Sequence, residues 1–251
     1  MGIKIEDYIG KQYNTNEGYL ITVVSYDGVR NVTIEFENGY SVNTNMSNVK
    51  RGSIKNPYHR NTFGVGFLGI GEYECYKNNK FTNAYKIWRY MLERCYYRTY
   101  QDKHPSYKGC TACEEWHNFQ NFAKWYEENY YEIKGEKMCL DKDILVKGNK
   151  VYSPETCIFV PQSINKLFTK RQNNRGGLPI GVHKHTNGYV AQINIDGNRI
   201  HLKKCKTSYE AFGIYKRAKE EYIKNVANRF KNKIPSKLYD AMCNYIVQIT
   251  D

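Results

Sequence analysis

The chain has no run of roughly 18 or more apolar residues, so no segment can cross a bilayer as a helix. Its opening residues, MGIKIEDYIG, lack the apolar stretch of a secretory signal. The Met-Gly start is poor support for myristoylation, because Asp7 and Tyr8 follow where a small hydroxyl residue is wanted. Without a leader, the eight cysteines point to a reduced, intracellular protein rather than a disulfide scaffold. No internal repeat and no low-complexity segment is present. No histidine occurs from 118 to 182.

What is present is aromatic and basic. Hydrophobic residues make up 41% and aromatics 15% of 251 residues, including 24 Tyr, enough for real cores and against disorder throughout. The formal net charge is +13, which calls for a polyanionic partner. Because the charge comes with Tyr, Asn and Gln rather than on a basic amphipathic helix, nucleic acid is favoured over a membrane surface. The charge is uneven. Residues 111–143 hold eight acids and four lysines, or −4, whereas 166–233 hold 16 Lys and Arg against four acids, or +12. The polyanion contact is therefore assigned to the C-terminal third.

Residues 8–56 read as short strands. YLITVVSY and VTIEFENGYSV are β-branched and aromatic, Val32, Ile34 and Phe36 alternate with polar neighbours, and Asp27-Gly28 and Asn38-Gly39 mark hairpins. A small β-barrel is expected there. The Gly-rich piece 63–73 reads as a linker or irregular strand and lacks the strand-to-helix context of a nucleotide-binding loop. Ala84, Ile87, Trp88, Met91, Leu92 and Cys95 predict a helix over 83–98, with Lys86, Arg89, Arg94 and Arg98 opposite. A second helix is expected at about 114–130 around Trp116, Phe119, Phe122, Ala123 and Tyr126.

The segment LDKDILVKGNKVYSPETCIFVP lies in an expected hairpin over 138–160, followed by a helix from near Pro161, a ββα order. Beyond the Gly-rich linker 173–179, GYVAQINIDGNRIHLKKC predicts two strands joined at Asp196-Gly197. A helix over 207–230 follows, with Thr207 and Glu210 forming a capping box and Tyr209, Phe212, Ala218, Tyr222 and Val226 as its buried stripe. A short amphipathic tail ends the chain.

Cys110-x-x-Cys113 lacks a second closely spaced pair, so structural zinc is not expected from it. His59, beside Lys55 and Arg60, reads as part of a linker or as a phosphate contact.

Two resemblances add to this. GVHKHTNGYVAQINI and NRIHLKKCKTSYEAFGIYKRA resemble the AP2 DNA-binding domain over 181–218. The resemblance implies a three-stranded antiparallel sheet packed on one helix and laid in the major groove of double-stranded DNA. The residues it places against DNA are His183, His185, Asn187, Gln192, Asn194, Arg199 and His201. Independently, Gln192, Asn194, Arg199 and His201 point away from the alternating apolar face and are side chains that bond base edges or phosphates.

IWRYMLERCY, PSYKGCTACEEWHNFQNFAKWY and LDKDILVKGNKVYSPETCIFVPQSIN resemble a module of phage-encoded proteins related to HNH endonucleases. The resemblance implies a metal-dependent phosphodiester hydrolase in the style of phage homing endonucleases, acting in the cytoplasm of a bacterial host. It places Asp141 and Asn165 as ligands of Mg²⁺ or Mn²⁺, with Asn149 in the loop. Lys142 stands where the family has its catalytic His, and Asp143 or Tyr152 is left as base. Three readings stay open: an active nuclease, a DNA- or protein-binding version that lost catalysis and regulates a host factor, and a purely structural hairpin. The expected organisation is α+β, with an N-terminal β module at 1–70, an HNH-like ββα module at 81–172, an AP2-like domain at 176–235 and a helical tail at 236–251.

Overall fold

The computed structural model describes residues 8–169, 176–249 and 251. The expected linker 173–179 lies partly outside the described residues. The chain is α+β, built from several small antiparallel sheets and helices, and it divides into two compact units: 1–108 with 112–125, and 109–111 with 126–251. No helix of the described residues is long and apolar enough to cross a membrane.

The first unit begins with strands β1 (Gln12–Asn14), β2 (Leu20–Tyr26), β3 (Val32–Phe36) and β4 (Ser41–Thr44), joined in sequence order as an antiparallel meander. It is an open four-stranded sheet, and the expected barrel does not form: β1 and β4 are edges that do not pair with each other. Val32, Ile34 and Phe36 alternate inward as read, and with Ile21, Val23, Met46 and Val49 they build the core under helix α1 (Met46–Arg51). Strands β5 (Tyr76–Lys77) and β6 (Lys80–Phe81) form a small hairpin before helix α2 (Asn83–Tyr96). In α2 the predicted stripe is buried at Trp88, Met91, Leu92 and Cys95. Thr82 caps α2, which ends two residues short of the expected 98, and after a break at Tyr97 a further short helix follows, α3 (Arg98–Lys103). The expected 114–130 helix is likewise a 3₁₀ turn, Glu114–His117, and then α4 (Phe119–Asn129) after the short strand β7 (Thr111–Ala112).

In the second unit, β8 (Met138–Asp141) pairs antiparallel with β10 (Ile158–Pro161), the short strand β9 (Val151–Tyr152) lies between them in sequence, and the brief helix α5 (Gln162–Asn165) follows. Strands β11 (Val182–His185), β12 (Gly188–Ile195) and β13 (Asn198–Cys205) form a three-stranded antiparallel sheet in that order. The long helix α6 (Ser208–Phe230) packs on this sheet, and α7 (Ser236–Cys243) packs on α6. Thr207 and Glu210 close the capping box at the start of α6. Its buried residues are Ala211, Tyr215, Tyr222, Ile223, Val226 and Ala227, whereas Tyr209 is 74% exposed. One core holds Ile158, Val160 and Ile164 of the ββα segment together with Val182, Ala191, Ile193 and Ile223 of the sheet and helix. Each such Ile or Val side chain, fully buried, contributes about 1.5–3 kcal/mol. The two segments that the sequence separates are thus parts of one compact unit.

Candidate nucleic-acid interface

Pairing register decides which side chains of the β11–β12–β13 sheet share a face, because directly opposed residues in an antiparallel pair point the same way. His183 stands opposite Val190 and His185 opposite Gly188. Across the other ladder, Val190 is opposite Lys204, Gln192 opposite His201, and Asn194 opposite Arg199. The ladder slips between Ala191 and Gln192, so Leu202 and Lys203 together take the place of one residue. The bulge keeps Leu202 in the core while Lys204 joins the outer face. The inner face, Tyr189, Ala191, Ile193 and Ile195, packs into the core with α6.

The outer face therefore carries His183, His185, Gln192, Asn194, Arg199, His201 and Lys204. Of the seven residues singled out by sequence, six share it, and Asn187 lies on the two-residue turn between β11 and β12. His183, His185, Arg199, His201 and Lys204 are exposed, whereas Gln192 is buried between its neighbours. Partial burial, then the Arg199 guanidinium and His201, hold the His183 imidazole below its ordinary pKa.

Asn194 has a different job. Its Oδ1 accepts from Gly197 N at 3.0 Å and its Nδ2 reaches Gly197 O at 3.4 Å. Asp196 and Gly197 have φ of 49° and 86°, as a tight two-residue hairpin of this hand needs. Asn194 locks that turn instead of facing outward freely. The turn is also tied to α6, since Tyr222 Oη donates to Asp196 Oδ1 at 2.8 Å and Arg229 lies 3.7 Å from Asp196 Oδ2. The sequence reading missed Lys204; only the bulge tells it from Lys203.

The ββα element is built differently. Asp141 ends β8, opposite Ile158, and its Oδ1 accepts from Asp143 N at 3.0 Å and Ile144 N at 2.8 Å. Burial, and then the Asp143 carboxylate, push the Asp141 carboxyl up from its ordinary range. Lys142 is buried; its Nζ donates to Asn149 O at 3.0 Å and lies 3.6 Å from Asp143 Oδ2. Asn149 Nδ2 donates to the carbonyls of Lys142 and Val151 at 2.7 and 2.6 Å. Asn165 ends α5, which the chain enters just after Pro161, opposite Met138 and three residues along β8 from Asp141. Among the described residues, no group of three or more His, Cys, Asp or Glu side chains is placed to hold a metal ion. His59 accepts or shares a hydrogen bond with Tyr19 Oη at 3.0 Å, which fixes the segment around it.

Comparison with protein-family models, with curated proteins and with solved structures finds no significant match.

Proposed function

We propose that the chain binds double-stranded DNA through the outer face of the β11–β12–β13 sheet. The observation that carries this reading is the shared face: His183, His185, Arg199, His201 and Lys204 lie together, opposite the side covered by α6. The arrangement of three antiparallel strands on one helix is the one the AP2 resemblance implies. The +12 charge of residues 166–233 supplies the non-specific attraction, because each neutralised phosphate releases condensed counterions. Arg199 and His201 donate to base edges or phosphates.

The decisive experiment measures duplex binding by the full chain against salt, with Arg199→Ala/His201→Ala as the altered protein. Affinity should fall by an order of magnitude or more and the salt slope should flatten by about one unit per lost phosphate contact. Unchanged affinity and slope would refute the sheet as the DNA-binding face. The full chain is required, because the sheet shares its core with the ββα segment.

Phosphodiester hydrolysis at the ββα element is the second reading, favoured by one observation: two carboxylates, Asp141 and Asp143, share one turn, with Asp143 N donating to Asp141 Oδ1 at 3.0 Å. The donor set fits a catalytic cation poorly. One oxygen of Asp141 already accepts two backbone N–H groups, and the ammonium of Lys142 occupies the same turn. A carboxylate so engaged offers only its other oxygen to Mg²⁺ or Mn²⁺, which each need several oxygen ligands. The geometry favours a DNA-binding protein whose ββα element serves as scaffold. Metal-dependent plasmid nicking, present with Mg²⁺ or Mn²⁺, abolished by EDTA and by Asp141→Ala, would reverse that preference.

A further inference from the structure

A second basic and aromatic surface stands in the first unit, on the outer side of α2. Lys86, Arg89 and Tyr90 recur at helical spacing on α2, Tyr97 stands at the break that follows it, and all four are exposed, with Tyr90 at 52% and Tyr97 at 45%. Trp88, Met91, Leu92 and Cys95 bury the other side, which leaves Lys86, Arg89 and Tyr90 facing outward. Arg98 follows directly and is exposed, and Glu93 is the carboxylate that lies among them, half-buried. Among the described residues, neither Arg89 nor Arg98 forms an ion pair. Residues 55–110 carry ten Lys and Arg against four acids, a +6 excess.

A tight loop completes the surface. Thr62 and Gly66 bond to each other in both directions, at 3.1 and 2.9 Å, and hold Phe63 and Gly64 at its tip. Gly66 lies so close to Trp88 and Leu92 that an added Cβ would overlap them, which seats the loop against α2. Phe63 has φ of 53°, a region unfavourable for a bulky side chain. Its ring lies 5.6 Å from that of Tyr97, and the Arg89 guanidinium stands 5.4 Å from its centroid. The loop thus holds a phenyl ring, a phenol and a guanidinium plane side by side.

We propose that this surface binds unpaired nucleotides, with bases stacking on Tyr90, Tyr97 and the Phe63–Arg89 pair and phosphates neutralised by Lys86, Arg89 and Arg98. Exposed rings between cations fit single strands, because every unpaired base offers a ring face and a duplex hides its own. The charge complementarity selects a polyanion over an apolar peptide. The inference adds a second contact to the DNA-binding reading and rests on different residues, so each stands or falls alone.

The test uses the full chain and two labelled probes, an oligothymidine of about 20 nucleotides and a duplex of similar length. Tyr90→Ala and Arg89→Ala should each weaken single-strand binding roughly 5- to 100-fold, while duplex affinity changes less than about twofold. Arg89→Lys keeps the charge and loses the plane, and should recover little of the loss. Single-strand binding that is absent, or unchanged in these variants, overturns the inference, as does equal loss on both probes. Duplex binding that still responds to Arg199→Ala in that event leaves the sheet proposal standing. Duplex binding that ignores Arg199→Ala while the α2 variants lose the single strand removes the sheet proposal alone.

Discussion

Lys142 and Asn149 hold each other across the loop that follows β8: the ammonium of one donates to the carbonyl of the other at 3.0 Å, and the amide donates back at 2.7 Å. The HNH resemblance would put a catalytic histidine where Lys142 stands. Here the lysine is a buried clasp, and its ammonium also lies 5.9 Å from the centroid of the Tyr152 ring. An ammonium donates and offers no lone pair, so with its partners inside the protein it closes the loop.

The first prediction follows from the clasp. Asn149→Ala removes the bonds to the Lys142 and Val151 carbonyls and the one accepted from Val151 N at 3.1 Å. Stability to urea should fall by about 1–3 kcal/mol, the usual cost of leaving such groups unpaired. Duplex affinity of the folded variant should stay as it was. A large loss of affinity with unchanged stability would make the loop a DNA contact instead.

Asp141 gives a prediction with a pH sign. Its folded pKa is raised above the ordinary 3.8, so the ionised carboxylate costs stability at neutral pH. That cost is relieved as pH falls through the folded value toward the unfolded one. Asp141→Asn retains the oxygen that accepts from Asp143 and Ile144 and removes the charge. At pH 7 it should match or exceed the parent in stability, and the margin should shrink on acidification. Asp141→Ala should lose about 1–2 kcal/mol, having left two N–H groups without their acceptor. Denaturation curves between roughly pH 4 and 7 decide it, and an Asn variant less stable than the Ala variant would contradict the account.

How much of this was written in the sequence differs from segment to segment. The C-terminal sheet and helix were legible nearly residue by residue, because Asp196-Gly197, the capping box at Thr207 and the period-2 alternation all point to one local answer. The α6 stripe was read out of phase at Tyr209, since a phenol suits core and surface alike and only the sheet selects Ala211 and Tyr215. The barrel was an over-reading: alternation in β2 and β3 reports one buried face and says nothing about whether β1 and β4 close. The shared core of the ββα segment with the sheet was invisible, because Ile144, Ile158 and Ile193 meet only through tertiary packing. At the site, face membership followed from alternation until the bulge beside Gln192, where one inserted residue puts Lys204 rather than Lys203 on the outer face.

Arg199 and Lys204 should separate two kinds of contact. Arg199→Ala should relax sequence preference at about one base pair and cost roughly 1–3 kcal/mol on a preferred site, as a bidentate arginine does. Lys204→Ala should weaken preferred and random duplexes alike and lower the salt slope by about one. Lys203→Ala, on the opposite side of the ladder, should do less. Competition titrations against random duplex read all three, and equal behaviour of Arg199→Ala on both sequences would end the claim of base readout.

His183 provides a pH test of the same face. Its pKa lies below the ordinary 6.5, so it is neutral near pH 7 and takes up a proton only in more acid solution. A neighbouring phosphate favours the protonated form, so DNA binding and proton uptake at His183 should assist each other. Duplex affinity should rise as pH is lowered from about 7.5 to 5.5, and part of that rise should vanish in His183→Gln. For the free protein the sign is opposite: a depressed histidine pKa means stability is lost as pH falls through 6.5 toward the folded value. A parent and a His183→Gln variant with parallel affinity profiles would place His183 away from the phosphates.

The last prediction concerns the joint that aims the sheet. Gly181, the first residue of the Gly-Val turn, has φ of 72°, and its carbonyl accepts from Gln192 N at 2.8 Å. A Cβ at this position would overlap the ring of Tyr215, which is buried against the sheet from α6. Gly181→Ala therefore meets two separate penalties. The left-handed backbone costs a non-glycine residue about 1–2 kcal/mol, and displacing a packed ring costs about 1–3 kcal/mol. Together they should lower stability by roughly 2–5 kcal/mol, a large share of what a small domain has. Relief of the overlap alone can be measured with Gly181→Ala/Tyr215→Leu, whose total cost should be less than the sum of the two single changes. Strict additivity would mean that the ring moves aside freely and that only the backbone resists. In that case Gly181 would matter for its φ alone, and the close approach of β11 to α6 would not be what holds His183 and His185 on the outer face of the sheet.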